Sequence, residues 1–188
     1  MDEKKGIVEA IVIIEWEMFK NVESSVPASC QNSPESFREI RTSIYEEWPK
    51  PLLESYLQDL IAANEEGRNL VMEKYARMDN LLPPLEENPL INDIVRIEAA
   101  WQDEIRHQYP TLYQSACRTT DPADDGSNFS IYLKAELETY GDKTVEYYHK
   151  HVSEAEANNE NLSLHMLERL VKKGGYEGLE HAEKQLCG

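Results

Sequence analysis

The stretch IVEAIVIIEWEMF at residues 7–19 is the most apolar part of the sequence and guides the expectation for the fold. Apolar residues at positions 7, 8, 11, 12, 14, 18 and 19 have a spacing that forms an apolar stripe along an α-helix. Glu9, Glu15 and Glu17 interrupt the apolar run, which is too short to cross a membrane. We therefore expect an amphipathic helix whose apolar side packs into a core.

The rest of the chain carries helix signals that are separated by proline, glycine and asparagine. Ser33-Pro34 and Asn88-Pro89 each combine a capping side chain with a proline at the first helical position, and Gly67 fits a left-handed C-cap. Pro110 and the polar run 119–128 are predicted to form a loop. Further helices are predicted at about residues 34–47, 51–66, 69–78, 89–107, 130–140, 142–157, 161–173 and 177–186. No strand pattern is found, so the expected fold class is all-α, a helical bundle.

A proline-rich linker at residues 80–89 separates two halves whose sequences resemble each other. We interpret residues 1–79 as an N-terminal helical half and residues 90–188 as a C-terminal helical half, together forming one compact unit. The matching pairs are Ile11–Glu15 with Ile94–Glu98, Ser43-Ile44-Tyr45 with Ser130-Ile131-Tyr132, Tyr56 with Tyr148, Asn69 with Asn161, and Arg77 with Arg169. An internal repeat with pseudo-two-fold packing is predicted, and coincidence between similar helices is the alternative.

The net charge of −17 results from 36 acidic against 19 basic residues. Residues 1–87 hold 18 acids and 9 bases, and residues 88–188 hold 18 acids and 10 bases, so both halves are acidic. Because this field repels the phosphates of nucleic acids and of anionic lipids, we expect no nucleic-acid or membrane partner.

Cys30, Cys117 and Cys187 form no CxxC pair and are odd in number, which favours reduced thiols in a cytoplasmic protein. The first residues are not followed by the apolar segment of a secretory signal, in keeping with that expectation. We find no phosphate-binding loop, nucleophile elbow or Cys/His zinc cluster, and we expect no cofactor.

Two Glu-x-x-His pairs have the spacing that di-metal helical bundles use, together with single glutamates from two further helices. The residues are Glu104 with His107, Glu146 with His149, and Glu17 and Glu136 as the single glutamates. A chain with five histidines and 36 acids produces such pairs by chance, so we assign no metal ligand. A carboxylate-bridged di-metal protein is kept as a third alternative.

Two features suggest a site in the N-terminal half. Cys30 precedes the capped helix at Ser33, and a helix N-terminus would favour its thiolate; a buried structural thiol is the alternative. The segment GRNLVMEKYARM at residues 67–78 brings Arg68, Lys74 and Arg77 together in an acidic protein. These cations are suited to an anionic ligand, although a solvated helix with ion pairs explains them as well.

Four motifs together resemble the bacterial family catalogued as domain of unknown function 4125. They are EWEMF at residues 15–19, CQ at 30–31, SYLQDL at 55–60 and GRNLVMEKYARM at 67–78. Residues 37–44, FREIRTSI, depart from the family pattern because the methionine and glutamine of that element are absent. The resemblance implies a bacterial, helical, stand-alone protein and supplies no activity.

The candidate residues are Cys30 as a catalytic nucleophile, and Arg41, Tyr56, Asp59, Arg68, Asn69, Lys74, Tyr75 and Arg77 as ligand-binding residues. We expect Asp59 to pair with Lys74 or Arg77 beside a cavity that Cys30 also approaches. The first hypothesis is a helical protein that binds a small anionic or polar ligand or a protein partner. The alternative is a small biosynthetic or modifying enzyme that uses Cys30, Asp59, Lys74 and Arg77 between the halves.

Overall fold

The computed structural model describes residues 3–22, 33–83, 85–122 and 128–187. These ranges contain ten α-helices and no strand, which confirms the all-α prediction. The helices are α1 (Glu3–Phe19), α2 (Pro34–Tyr45), α3 (Lys50–Glu65), α4 (Leu70–Met78), α5 (Pro89–Gln108), α6 (Pro110–Ala116), α7 (Phe129–Leu137), α8 (Asp142–Ala157), α9 (Leu162–Lys173) and α10 (Leu179–Leu186).

Asparagine side chains begin four of these helices. Asn69, Asn88, Asn128 and Asn161 each accept a hydrogen bond from a backbone N–H in the first turn of the helix that follows. Such caps satisfy donors that have no partner inside the helix. Gly67 follows α3 with a φ of 71°, the left-handed geometry expected of it.

The segment after Pro110 is helical, and the prediction of a loop there was wrong. α6 begins at Pro110, where the missing N–H of proline leaves no helical hydrogen bond unmade. Leu112 and Tyr113 are buried on its inner side. Tertiary packing therefore supports a helix of seven residues that is too short to show a clear period in the sequence.

The main core draws on α1 to α5, α7 and α8, so residues from both sides of the proline-rich segment pack together. Ile11, Leu52, Leu60 and Ile94 have no exposed surface, and burying such a side chain contributes about 1.5–3 kcal/mol. A smaller core joins the end of α5 to α6, α9 and α10. None of the described helices combines the length and apolar character needed to cross a bilayer.

Two contacts occur in both halves. Tyr56 on α3 donates a hydrogen bond to Glu15 on α1, and Tyr148 on α8 donates one to Glu98 on α5. The Nδ2 atoms of the capping residues Asn69 and Asn161 lie 2.8 and 3.1 Å from the carbonyl oxygens of Met18 and Trp101, again on α1 and α5. These parallels agree with the predicted internal repeat, which stays a prediction.

Candidate functional site

A cavity of about 780 Å³ lies among the helices, and α1 to α9 each contribute to its lining. This volume is within the range of roughly 300–1,000 Å³ that is typical of sites for small molecules. The lining residues Ile40, Ser115, Ala116 and Arg118 are exposed and mark the mouth of the cavity. Its aromatic lining consists of Phe19, Phe37, Trp48, Tyr56, Tyr75, Trp101, Phe129, Tyr132, Tyr140 and Tyr148.

Glu15 is a carboxylate on the buried side of α1, with only 1% of its surface exposed. Its Oε1 atom accepts hydrogen bonds from the hydroxyls of Tyr45 and Tyr56 at 2.6 and 2.7 Å. Arg41 donates from Nε to Oε2 at 2.8 Å and from Nη2 to Oε1 at 2.5 Å. A buried carboxylate needs such partners because burial removes the water that would otherwise solvate it.

Glu136 on α7 extends this arrangement to a second carboxylate. Arg41 Nη2 donates to Glu136 Oε1 at 2.8 Å, and Tyr140 donates to the same oxygen at 3.1 Å. Lys74 Nζ lies 3.4 Å from Glu136 Oε2 and 2.9 Å from the Tyr132 hydroxyl. Carboxylates and cations therefore alternate along the cavity wall, which we call the charge chain: Glu15, Arg41, Glu136 and Lys74.

Three members of the charge chain stay ionised at neutral pH. Burial alone would lower the pKa of Arg41, but Glu136 and Glu15 hold it well above its ordinary value. Burial alone would raise the pKa of Glu136, whereas Arg41 and Lys74 lower it well below the ordinary range. Burial also acts to lower the pKa of Lys74, and the charge of Glu136 outweighs this effect and raises it. The charges depend on one another, so removing one member leaves another without its partner.

Tyr132 brings two cations together beside the mouth of the cavity. Lys74 Nζ and Arg118 Cζ each lie 4.4 Å from the centroid of the Tyr132 ring. The face of an aromatic ring attracts cations at such distances. Two cationic side chains thus converge on one aromatic ring in a protein that is strongly acidic as a whole.

Glu98 on α5 has a different environment from the charge chain. It is 9% exposed, and the Tyr148 hydroxyl donates to its Oε1 at 2.5 Å. No cation forms an ion pair with Glu98 in the described part of the chain. Burial raises the pKa of Glu98 to about 7, an effect that the Tyr148 hydrogen bond opposes and the charge of Glu136 reinforces. About half of the Glu98 carboxyl groups are therefore protonated at neutral pH.

His151 and Cys117 also line the cavity. The His151 Nε2 atom is buried and has no hydrogen-bond partner among the described residues. Burial lowers the pKa of His151, so its ring is neutral at pH 7. Burial raises the pKa of the Cys117 thiol to about 11, which keeps it protonated and unreactive at neutral pH.

Four of the predicted ligand-binding residues lie together in the cavity wall: Arg41, Tyr56, Lys74 and Tyr75. Lys74 is only 6% exposed, so the reading of this segment as a solvated helix does not apply to it. Cys30 lies outside the described residues.

The other candidates lie elsewhere. Asp59 accepts a hydrogen bond from the backbone N–H of Gly141 at 2.9 Å, and Arg68 forms an exposed ion pair with Glu73. Asn69 caps α4, and Arg77 lies 3.9 Å from Glu138. The expected pairing of Asp59 with Lys74 or Arg77 is therefore corrected for the described residues. Because α4 packs against α7, Lys74 lies next to Glu136 and Arg77 next to Glu138.

Sequence reasoning did not select Glu15 or Glu98 as site residues and considered Glu136 only as a metal ligand. Glu15 and Glu98 gave a signal, since each occupies a position of its helix that otherwise carries apolar side chains. A glutamate at such a position is buried with its helix face and needs a partner there. Tyr56 and Tyr148 are those partners.

The residues of the predicted di-metal alternative do not assemble. His149 Nε2 lies 2.8 Å from Asp93, His107 Nδ1 lies 2.6 Å from the Asp103 carbonyl oxygen, and Glu17 pairs with Lys20. Within the described ranges, no group of three or more histidines, cysteines and acids is placed to hold a metal ion.

The comparison with known families agrees with the motifs. The model of the family described as "Protein of unknown function (DUF4125)" matches residues 5–184, nearly the whole chain. The chain belongs to this family. No curated protein and no solved structure matches the chain.

The motifs that resemble the DUF4125 family can now be placed on the cavity. EWEMF at residues 15–19 provides Glu15 and Phe19, and SYLQDL at residues 55–60 provides Tyr56. GRNLVMEKYARM at residues 67–78 provides Lys74 and Tyr75. Each of these motifs thus contributes to one cavity, although the first motif is separated from the last by about 50 residues of sequence.

Proposed function

We propose that this DUF4125 protein binds a small molecule with an apolar body and one acidic group in the central cavity. Support comes from the lining itself. Aromatic rings from seven helices offer apolar contact area, and the members of the charge chain satisfy one another's buried charges. A cavity that combines apolar walls with a few converging polar groups is the usual form of a small-molecule site.

The observation that carries the proposal is the pair of cations on Tyr132. Lys74 and Arg118 both approach its ring, and the nearest carboxylate oxygen of Glu136 is 3.4 Å from Lys74 Nζ. An acidic group of a ligand that enters through the mouth meets these cations and the Tyr132 hydroxyl first. Such a group would form charge-assisted hydrogen bonds with Lys74 and Arg118.

Binding of the anionic aromatic dye 1-anilinonaphthalene-8-sulfonate tests the proposal. We expect saturable binding with increased fluorescence by the folded protein. Lys74→Met should weaken binding about tenfold or more, because a hydrogen bond to a charged group contributes about 1.5–3 kcal/mol. Lys172→Met is the matched control, since Lys172 is an exposed lysine that pairs with Glu168 on α9.

A second variant and a test of folding distinguish weaker dye binding from loss of structure. Tyr132→Phe removes only the hydroxyl that Lys74 contacts and should weaken dye binding less than Lys74→Met does. Near-ultraviolet circular dichroism should be unchanged in each variant that is compared. Absence of saturable binding by the native protein, or equal affinity of a folded Lys74→Met variant, would contradict the proposal.

An enzyme is the second proposal, and the two acids on the cavity wall favour it. Glu136 is held ionised, whereas the pKa of Glu98 is raised to about 7. Carboxyl groups whose pKa values are separated in this way are suited to proton transfer at neutral pH. The nucleophile in this proposal is Cys30, as the sequence suggested, with Lys74 beside the substrate. Replacing Cys30 by Ser should then abolish turnover of a substrate while leaving its binding in place.

A further inference from the structure

The cavity has a second polar region that the proposed acidic group does not use. Glu98, Trp101 and Gln102 lie on one side of α5, at spacings of three and four residues, and all three line the cavity. Tyr148 on α8 donates a hydrogen bond to Glu98, and His151, three residues further along α8, also lines the cavity. We call these five residues the Glu98 end of the cavity.

Aromatic rings continue from the Glu98 end into the cavity wall. The Trp48 ring centroid lies 5.0 Å from that of Tyr148 and 6.3 Å from that of Tyr140. Tyr140 in turn lies 4.5 Å from Tyr56, centroid to centroid. All four residues line the cavity. The rings of Tyr148 and Trp48 thus lie on the Glu98 side of this group, whereas Tyr56 and Tyr140 donate to Glu15 and Glu136. Ring faces beside a carboxyl group attract organic cations.

Charge distinguishes Glu98 from the other glutamates of the wall. Glu15 pairs with Arg41, Glu136 with Arg41 and Lys74, and Glu47 with Arg169. In the described structure, Glu98 instead accepts a hydrogen bond from the neutral hydroxyl of Tyr148. A buried carboxylate without a cation is a favourable place for a ligand that brings one.

We propose that the Glu98 end binds an organic ammonium group, held by the Glu98 carboxylate and by the faces of the neighbouring aromatic rings. This inference rests on the proposed function only in using the same cavity. It extends the ligand class to amines, and a molecule that carries an acid and an amine would engage both polar regions. The neutral His151 ring offers Nε2 as an additional hydrogen-bond partner.

Amine binding through Glu98 should depend on pH. The titratable groups that act on Glu98 are Tyr148 on α8 and Glu136 on α7, and His151 and Cys117 line the same cavity. The raised pKa of Tyr148 and Cys117 and the lowered pKa of Glu136 keep these three groups in one form between pH 6 and pH 8, and burial lowers the pKa of His151 from its ordinary value. The pKa of Glu98, about 7, lies in the middle of this interval. Affinity for an amine should therefore rise about tenfold from pH 6 to pH 8.

The three tryptophans make this measurable by NMR. Trp48 and Trp101 line the cavity, whereas Trp16 does not. Titration with 2-phenylethylamine should shift the indole N–H signals of Trp48 and Trp101 more than that of Trp16. 2-Phenylethanol is the uncharged analogue and should bind at least tenfold more weakly at pH 8, with no dependence on pH.

Two variants complete the test. Glu98→Gln keeps a hydrogen-bond acceptor for Tyr148 but should weaken amine binding about tenfold or more at pH 8 and abolish its pH dependence. Glu146→Gln, an exposed change on α8 away from the cavity lining, is the matched control and should bind the amine as the native protein does. Equal binding of the amine and the alcohol, or unchanged amine binding by Glu98→Gln, would overturn the inference. Dye binding without amine binding would refute this inference alone, and absence of both would refute the proposed function as well.

Discussion

Glu15 and Glu98 occupy similar positions in the two halves but have different electrostatic environments. Each is a buried glutamate on the first long helix of its half, and each accepts a hydrogen bond from a tyrosine on the helix packed against it. Glu15 also pairs with Arg41, whereas no arginine or lysine of the described chain pairs with Glu98. Similar backbone positions thus hold a carboxylate in an ion pair in one half and a carboxyl group that titrates near pH 7 in the other.

The predicted repeat offers an account of this difference. When Tyr45 is matched with Tyr132, the same offset matches Arg41 with Asn128. Asn128 begins α7 and its side chain caps that helix, and it carries no charge. On the predicted repeat, the exchange of one arginine for asparagine would leave the second buried acid without a cation.

The largest expected effect on stability comes from removing Arg41, the cation that is present beside Glu15 and absent beside Glu98. Arg41→Met leaves Glu15 and Glu136 buried without their shared arginine and should lower the free energy of unfolding by about 3–5 kcal/mol. Urea unfolding measures the change. Arg38→Met, an exposed position on the same helix, should change it by less than about 0.5 kcal/mol. Similar small losses for both variants would show that the ion pairs of Arg41 do not stabilise the fold.

Removing the carboxyl group of Glu98 should raise the free energy of unfolding at neutral pH, whereas removing Arg41 should lower it. The pKa of Glu98 is raised from 4.5 to about 7, so the native state favours the protonated acid. The contribution of Glu98 to the free energy of unfolding should then be largest below pH 4.5. It should fall as the pH rises to about 7. Between pH 5 and pH 8 the loss should be about 2–3 kcal/mol.

Glu98→Gln removes this dependence on pH and should be more stable than the native protein at pH 8, with a smaller gain at pH 5. Thermal or urea unfolding at both values measures the difference. Glu146→Gln, an exposed change on α8, is the control and should follow the native protein at each pH. A loss of stability in Glu98→Gln at pH 8 would indicate that an ionised Glu98 stabilises the fold.

The two capping asparagines provide a smaller test of how alike the halves are. Asn69 and Asn161 each cap a helix and donate to a carbonyl of the first helix in their half. Replacing either by alanine should lower the free energy of unfolding by about 1–2 kcal/mol, and the two losses should agree within about 0.5 kcal/mol. A loss confined to one half would weaken the predicted repeat.

Most of the fold was predictable because its signals are local. Prolines, asparagines and Gly67 mark the helix ends, and the predicted boundaries agree with the structure within about four residues for the helices that were anticipated. α6 was missed because its seven residues depend on packing against α5 and α10. A short helix of this kind carries too few positions to reveal a period.

The site was only partly predictable from sequence. Lys74, Tyr75, Tyr56 and Arg41 were selected for their residue types and motifs, and the cavity brings them together. The partner of Lys74 was not predictable, because it depends on α4 packing against α7, which is distant in sequence. Arg68 belongs to the same motif as Lys74 but lies at the surface, because it precedes α4 in the turn that follows α3.

A direct measurement of the ionisation of Glu98 and Glu136 tests the central claim that two buried acids of one cavity differ in charge. Carbon-13 NMR of the glutamate side-chain carboxyl groups follows each acid as the pH is varied, with Glu98→Gln and Glu136→Gln used for assignment. We predict that the Glu98 signal titrates with a midpoint near pH 7, while the Glu136 signal stays that of an ionised carboxylate from pH 5 to pH 9. A Glu98 signal that is already fully ionised at pH 6, or a Glu136 signal that titrates between pH 5 and pH 9, would contradict it.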